Sequence, residues 1–214
     1  MKPDWPGRIK WIVFACFLLL AALVHRPLLN SIGNFLVVHE AADSSVDVIF
    51  TFALSEQVAK RAQSEEIKTI YVLASDYSRS WKALREVNTE QWIKSETQSH
   101  GIDSERVRVL TAGFESGPGF GEFLEQVRKD SPFSKAIIFI PYYQGRGYRF
   151  YLDHALGDGA KNYFFQPLES DYQKNFESWW LNTAYDNLFL DQYLRLGWYY
   201  FNYLLWDPVG RGAS

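Results

Sequence analysis

Two patterns of apolar residues divide this chain. Residues 11–24 run without a charge, and a second apolar run, 28–38, follows His25, Arg26 and Pro27. From residue 47 onward, short β-rich runs alternate with stretches of helical period. Residues 47–54, 69–75, 106–111, 136–142 and 161–166 predict five strands. Ser55 can cap a helix with Val58 and Ala62 on one face. Residues 80–99 predict a helix that turns Trp81, Leu84, Val87, Trp92 and Ile93 inward and ends at Gly101. Further helices are expected over 122–129, 146–156 and 172–206. Strands separated by helical spacers build βαβ units, so the expected fold is a single α/β, Rossmann-like domain. Its five-stranded sheet is mostly parallel, with helices on both faces. The most apolar strand, 136–142, is expected near the middle.

The first apolar run is shorter than the ~20 residues of a usual membrane-spanning helix. A tilted helix from about Trp5 to about Leu29, its charged ends snorkelling, is long enough. Lys2, Arg8 and Lys10 precede the run, which places the N-terminus in the cytoplasm by the positive-inside rule. Two other readings compete. A cleaved signal peptide needs a small-x-small site, and the nearest, Ser31-Ile-Gly33, lies beyond Arg26. A buried helix of a soluble protein is the other. Cys16 follows Val13-Phe14-Ala15, whose bulky Phe14 does not suit a lipidation motif. The expected layout is a cytoplasmic segment 1–10, an anchor 11–30, a linker 31–46, a domain 47–206 and a tail 207–214.

Composition narrows the chemistry. A net charge of −3 offers no basic field for nucleic acid. One cysteine excludes an intramolecular disulfide and a cysteine metal site. Four scattered histidines (25, 39, 100 and 154) lack ligand spacing, so neither metal nor cofactor is expected. Aromatics make up 17% of the chain and crowd toward its end. Between residues 198 and 206 they surround the predicted helix, more than one buried face requires. That helix is expected against the bilayer or the anchor, or packed on the sheet, and it offers a surface for protein partners.

Open α/β sheets bind ligands at the carboxyl ends of their strands. The rule nominates residues 53–56, 75–79, 111–122 and 142–149. Ser75, Asp76 and Arg79 follow the second strand. Gly117, Gly119 and Gly121 precede a helix start and can admit an anion to backbone N–H groups, with Glu122 beside them. Their GxGxG spacing, interrupted by Pro118, is a weak dinucleotide signal, and a plain connector is equally compatible. Tyr142 and Tyr143 lead into Arg146 and Arg149, which share a helix face. The two arginines can grip a phosphate bidentately, or be solvated or paired with Asp153.

Several segments resemble the YdcF-like family (the DUF218 domain). Val46-Asp47-Val-Ile-Phe resembles the family's Ala-Asp-x-Ile-Val, and Glu122 falls near its acidic residue. Phe139-Ile-Pro-Tyr-Tyr-Gln-Gly-Arg146-Gly resembles Thr-Ser-x-x-His-x-x-Arg-Ala, and Trp179-Trp180 with Asp191 resembles a closing Trp…Glu motif. Thr51-Phe-Ala-Leu-Ser55 lacks the family's glycines, Ala74-Ser75 replaces Ser-Gly, and Tyr143 replaces its histidine. The resemblance implies a single-pass protein of the bacterial plasma membrane with its domain outside the cytoplasm. It further implies a site at Ser75, Asp76, Gly119, Gly121, Glu122, Tyr143 and Arg146 for an anionic, possibly lipid-linked, envelope or polysaccharide precursor. The departures leave open a divergent member without catalysis, acting as a membrane-bound interaction module.

Overall fold

The computed structural model describes residues 5–42, 45–63, 66–74, 89–111, 119–168 and 183–202. A long helix α1 (Trp5–Leu36) leads into alternating elements: β1 (Val48–Thr51), α2 (Glu56–Ala62), β2 (Thr69–Ala74), α3 (Thr89–His100), β3 (Val107–Thr111), α4 (Gly119–Asp130), β4 (Ala136–Pro141), α5 (Gly145–Leu156), β5 (Tyr163–Leu168) and α6 (Thr183–Tyr200). All five strands are parallel, in the order β3-β2-β1-β4-β5. The chain is thus a Rossmann-like α/β protein. Strand order reverses direction after β3, so right-handed crossovers put α2 and α3 on one face and α4 and α5 on the other.

Strands buried on both faces read as unbroken apolar runs. Ala136 to Ile140 in β4 are wholly buried, as are Ile49 and Phe50 in β1. The middle strand is β1, with β4 beside it in the interior. Asp47 aligns the strand starts. Its carboxylate accepts from the N–H groups of Ser134 and Lys135, each at 3.3 Å, and its carbonyl accepts from Lys68 N–H at 2.8 Å. One acidic residue thereby ties the entries of β1, β2 and β4.

Local signals are obeyed at several ends. Ser55 Oγ accepts from Val58 N–H at 3.3 Å, capping α2. Gly101 has a φ of 65° and ends α3, with Gly101 N–H donating to Gln98 O and Ile102 N–H to Thr97 O. That pair of bonds is a Schellman cap. The expected strand 47–54 stops early because Thr51 Oγ1 donates to Ala53 O at 2.6 Å and turns the chain. The start of the helix expected over 80–99 lies outside the described residues.

Helix α1 is longer than its apolar pattern suggests. It passes through Pro27 without ending, so residues 31–36, expected as linker, are helical. Its stretch Lys10–Leu36, 27 residues, is long and apolar enough to cross a membrane, and its apolar window is not buried in the rest of the chain. Residues beyond it run along the outer side of β5. Glu40 N–H donates to Phe165 O at 2.9 Å, and Glu40 Oε2 accepts from Phe165 N–H at 2.9 Å. This covers an edge strand that would otherwise offer free backbone groups.

On the other face α4 crosses α5 very closely at Gly121. A Cβ there would meet Ala155 Cβ at 2.4 Å. Gly121→Ala is therefore expected to lower stability by about 1–3 kcal/mol through overpacking. Ala155→Gly in the same chain is expected to recover most of the loss. Thermal unfolding of the detergent-solubilised protein measures both; a Gly121→Ala variant as stable as the parent would contradict the crossing.

Candidate functional site at the carboxyl edge of the sheet

The order β3-β2-β1-β4-β5 puts the topological switch between β1 and β4. Ligands of open α/β sheets lie outside the carboxyl ends of the strands at that point. Here the position is packed with rings. Phe52, directly after β1, is buried, and its N–H donates to Phe139 O at 3.4 Å. Tyr148 on α5 meets Phe52 edge-to-face at 5.9 Å and Phe120 at 4.7 Å. It also meets Tyr151 at 6.0 Å, and Tyr151 meets Tyr199 of α6 at 4.5 Å. Burial and a hydrogen bond with Tyr199 push the Tyr151 phenol well above its usual pKa. A ring chain therefore runs from the end of β1 to the terminal helix.

Beside the switch point, α1 docks on the domain. Its last turn needs partners for carbonyl groups that have none within the helix. Arg146, at the start of α5, donates from Nε to Phe35 O at 3.0 Å and lies 5.0 Å over the Phe35 ring. The opposite flank is held by α6: Tyr193 stacks on Phe35 at 6.1 Å, and its hydroxyl donates to Ile32 O. Burial raises the Tyr193 phenol, and the positive Arg146 opposes part of that rise. Leu36, Tyr142, Phe189 and Leu196 form a buried cluster beneath, with Tyr143 packed against it. The absence of a side chain at Gly145 permits this approach, since a Cβ would lie 3.0 Å from Val38 N.

Arg149 is committed elsewhere. Its guanidinium donates to Tyr163 O at 2.9 Å and pairs with Asp153 at 3.1 Å and Glu40 at 3.4 Å. Two carboxylates around one mostly buried cation leave little attraction for an anion. Of the alternatives open for Arg149, the pairing with Asp153 is the one present. Arg149 closes β5 onto the segment after α1, and Asp153 is its partner on α5.

The remaining candidates fall into two groups. Ser75 and Asp76, with Arg79 and Gly117, lie outside the described residues. Gly119 is the first residue of α4, and Glu122 is exposed in its first turn. A carboxylate there complements the positive end of the helix and competes with any anion for it. Gly121 packs against α5, so its missing side chain serves a helix crossing rather than the approach of an anion. Of the predicted site, the described residues bring together Tyr143 and Arg146, at the α1 joint. Phe35, Glu40, Phe52, Phe120, Tyr148 and Tyr193 were not foreseen as parts of this region. The signal for several of them was the aromatic excess. Among the described residues, no group of three or more His, Cys, Asp or Glu is placed to hold a metal. No protein-family model matches the chain, and no curated protein matches it.

Arg146 joins a helix end, a ring and a carbonyl, so its role is directly measurable. Arg146→Ala is expected to cost about 0.5–1.5 kcal/mol, the net range for an ordinary hydrogen bond, because the bond to Phe35 O is exposed and water can replace the lost donor. Arg146→Lys is expected to recover part of it, because an ammonium keeps the cation–ring contact but not the guanidinium Nε geometry. A double-mutant cycle with Phe35→Ala should give a coupling of about 0.5–1.5 kcal/mol. Zero coupling in detergent melts would remove Arg146 from the joint.

Proposed function

We propose that this chain is a membrane-bound interaction module: a Rossmann-like domain tethered by α1 and specialised for docking rather than catalysis. Filling of the β1–β4 switch point by Phe52, Tyr148 and Phe120 carries the reading. A site that takes a nucleotide or sugar phosphate there needs close backbone approach, and aromatic packing occupies that place. The commitment of Arg149 to Glu40 and Asp153 supports it further. In this reading the chain is a divergent relative of the YdcF-like type. It sits once across a bacterial plasma membrane, with its N-terminus in the cytoplasm and its domain outside, where it works within an envelope or polysaccharide assembly. Lys2, Arg8 and Lys10, before the uncharged run 11–24, favour that orientation. A reporter fused after Ser214 is expected to be active only outside the cytoplasm.

A second reading is favoured by one observation. Among the described residues Arg146 donates its Nε to Phe35 O, and the residue is partly exposed at the sheet edge. In that reading its Nη groups hold an anionic precursor, free or lipid-linked. Thermal shift of the full-length protein separates the two. A ligand at ~100 times its Kd adds about 2.7 kcal/mol to stability. The module reading expects no shift with inorganic phosphate, nucleotides, sugar phosphates or polyprenyl phosphate. A shift abolished by Arg146→Lys would overturn it in favour of the precursor.

A further inference from the structure

Helix α6 divides its surface three ways. At about 100° per residue, Phe189, Tyr193 and Leu196 share the face that meets α1 and the turn after β4. Asp191 and Arg195 form an ion pair of 2.7 Å on a second face. Leu190, Leu194 and Trp198 fall within roughly 80° of one another on a third, and Phe201 follows directly after the helix. These four are exposed by 59%, 65%, 63% and 48%. An ordinary surface helix has two faces, one apolar and buried, one polar and wet. The third sector has no such explanation, and as a contiguous exposed apolar stripe it marks a contact.

The joint with α1 says what covers it. Tyr193, one turn from Leu190 and from Leu194's flank, contacts Ile32 and Phe35 of α1. Arg26 is the last charge on α1. Its long side chain snorkels from a span that ends at about Leu29, and three further residues lead to Ile32, about 4.5 Å of helix rise. A headgroup layer is roughly 5–8 Å deep on each side of the hydrocarbon. Helix α6 is therefore held at the level of the lipid headgroups. Leu28 and Phe35 of α1 are apolar and exposed as well, by 55% and 47%. Trp198, with an apolar body and a polar N–H, is a residue type enriched at that depth.

We infer that α6 is a second membrane contact, lying in the plane of the interface with Leu190, Leu194, Trp198 and Phe201 in the headgroup–acyl boundary of the leaflet into which α1 runs. The inference rests on α1 crossing the membrane. With two points of contact, the domain does not swing on its tether. The carboxyl edge of the sheet is held toward the bilayer, and the partner or precursor of the module is met at the lipid surface.

Site-specific fluorescence of the full-length protein tests this. The chain's single cysteine is removed by Cys16→Ser. An environment-sensitive label is then placed in turn at Leu194→Cys, Trp198→Cys, Arg195→Cys and Leu19→Cys. Each protein is reconstituted in phosphatidylcholine vesicles containing some phosphatidylglycerol, with spin-labelled lipids quenching at shallow or deep positions. Labels at 194 and 198 are expected to be quenched about twofold or more by the shallow spin label, since interfacial helices sit ~5–10 Å into the boundary. The label at 195 should not be, and the label at 19 should respond to the deep one. Quenching at 19 with 194 and 198 behaving like 195 would overturn the inference and leave the anchor standing. No quenching at 19 would defeat the anchor itself and the inference with it. Labels at 194 and 198 shielded from aqueous iodide but untouched by lipid quenchers would also overturn it, assigning the stripe to a protein surface.

Discussion

The end of α1 is the constraint around which the carboxyl edge of this protein is organised. A helix that leaves an apolar layer presents unpaired carbonyls, and each must find a donor. Arg146 and Tyr193 supply donors for Phe35 O and Ile32 O from two different helices. To reach them, α5 starts tight against the chain at Val38, where a Cβ at 145 would lie 3.0 Å from Val38 N. Because α5 begins at that point, Tyr148 and Tyr151 fall over the exit of β1. The docking of α1 and the closure of the switch point are therefore one arrangement.

That arrangement separates this chain from an ordinary Rossmann-like binder. In the usual design the first turn after β1 is small and leaves room for a phosphate at a helix N-terminus. Here the same turn carries Phe52, with Leu54 buried after it. The free energy of that position comes from ring packing, where edge-to-face pairs add about 0.5–1.5 kcal/mol each beyond their buried area. Stability is gained at a place that binders leave open. The proposed docking role agrees with this, since a tethered module needs a rigid scaffold more than a cleft.

Arg149 and Glu40 extend the same logic to the far edge of the sheet. β5 has no strand beyond it, and the segment after α1 closes it through one backbone bond and the Glu40 carboxylate. Arg149 neutralises that carboxylate and bonds to Tyr163 O of the same strand. The chain that leaves α1 is thus part of the domain's edge. Movement of α1 relative to the sheet would break this pairing as well as the Arg146 contact, so helix and domain behave as one body at this end.

Much of the architecture could be read from residue order alone. Apolar runs that repeat with helical spacers dictate a parallel sheet, because only crossovers can join parallel neighbours. Ser55 and Gly101 set helix ends through bonds within four or five residues, and such local bonds do not depend on the rest of the fold. The uncharged run 11–24 is too short by itself, and only together with its flanks does it mark a helix long and apolar enough to cross a membrane. Long-range pairing is a different matter. That Arg146 reaches Phe35, and that Gly121 packs against Ala155, depends on contacts between residues 111 and 34 positions apart. A free arginine and a clamped one have the same local sequence, as do a glycine that admits a ligand and one that admits a helix. Only the folded chain, by bringing α1, α5 and α6 to one edge, selects between them.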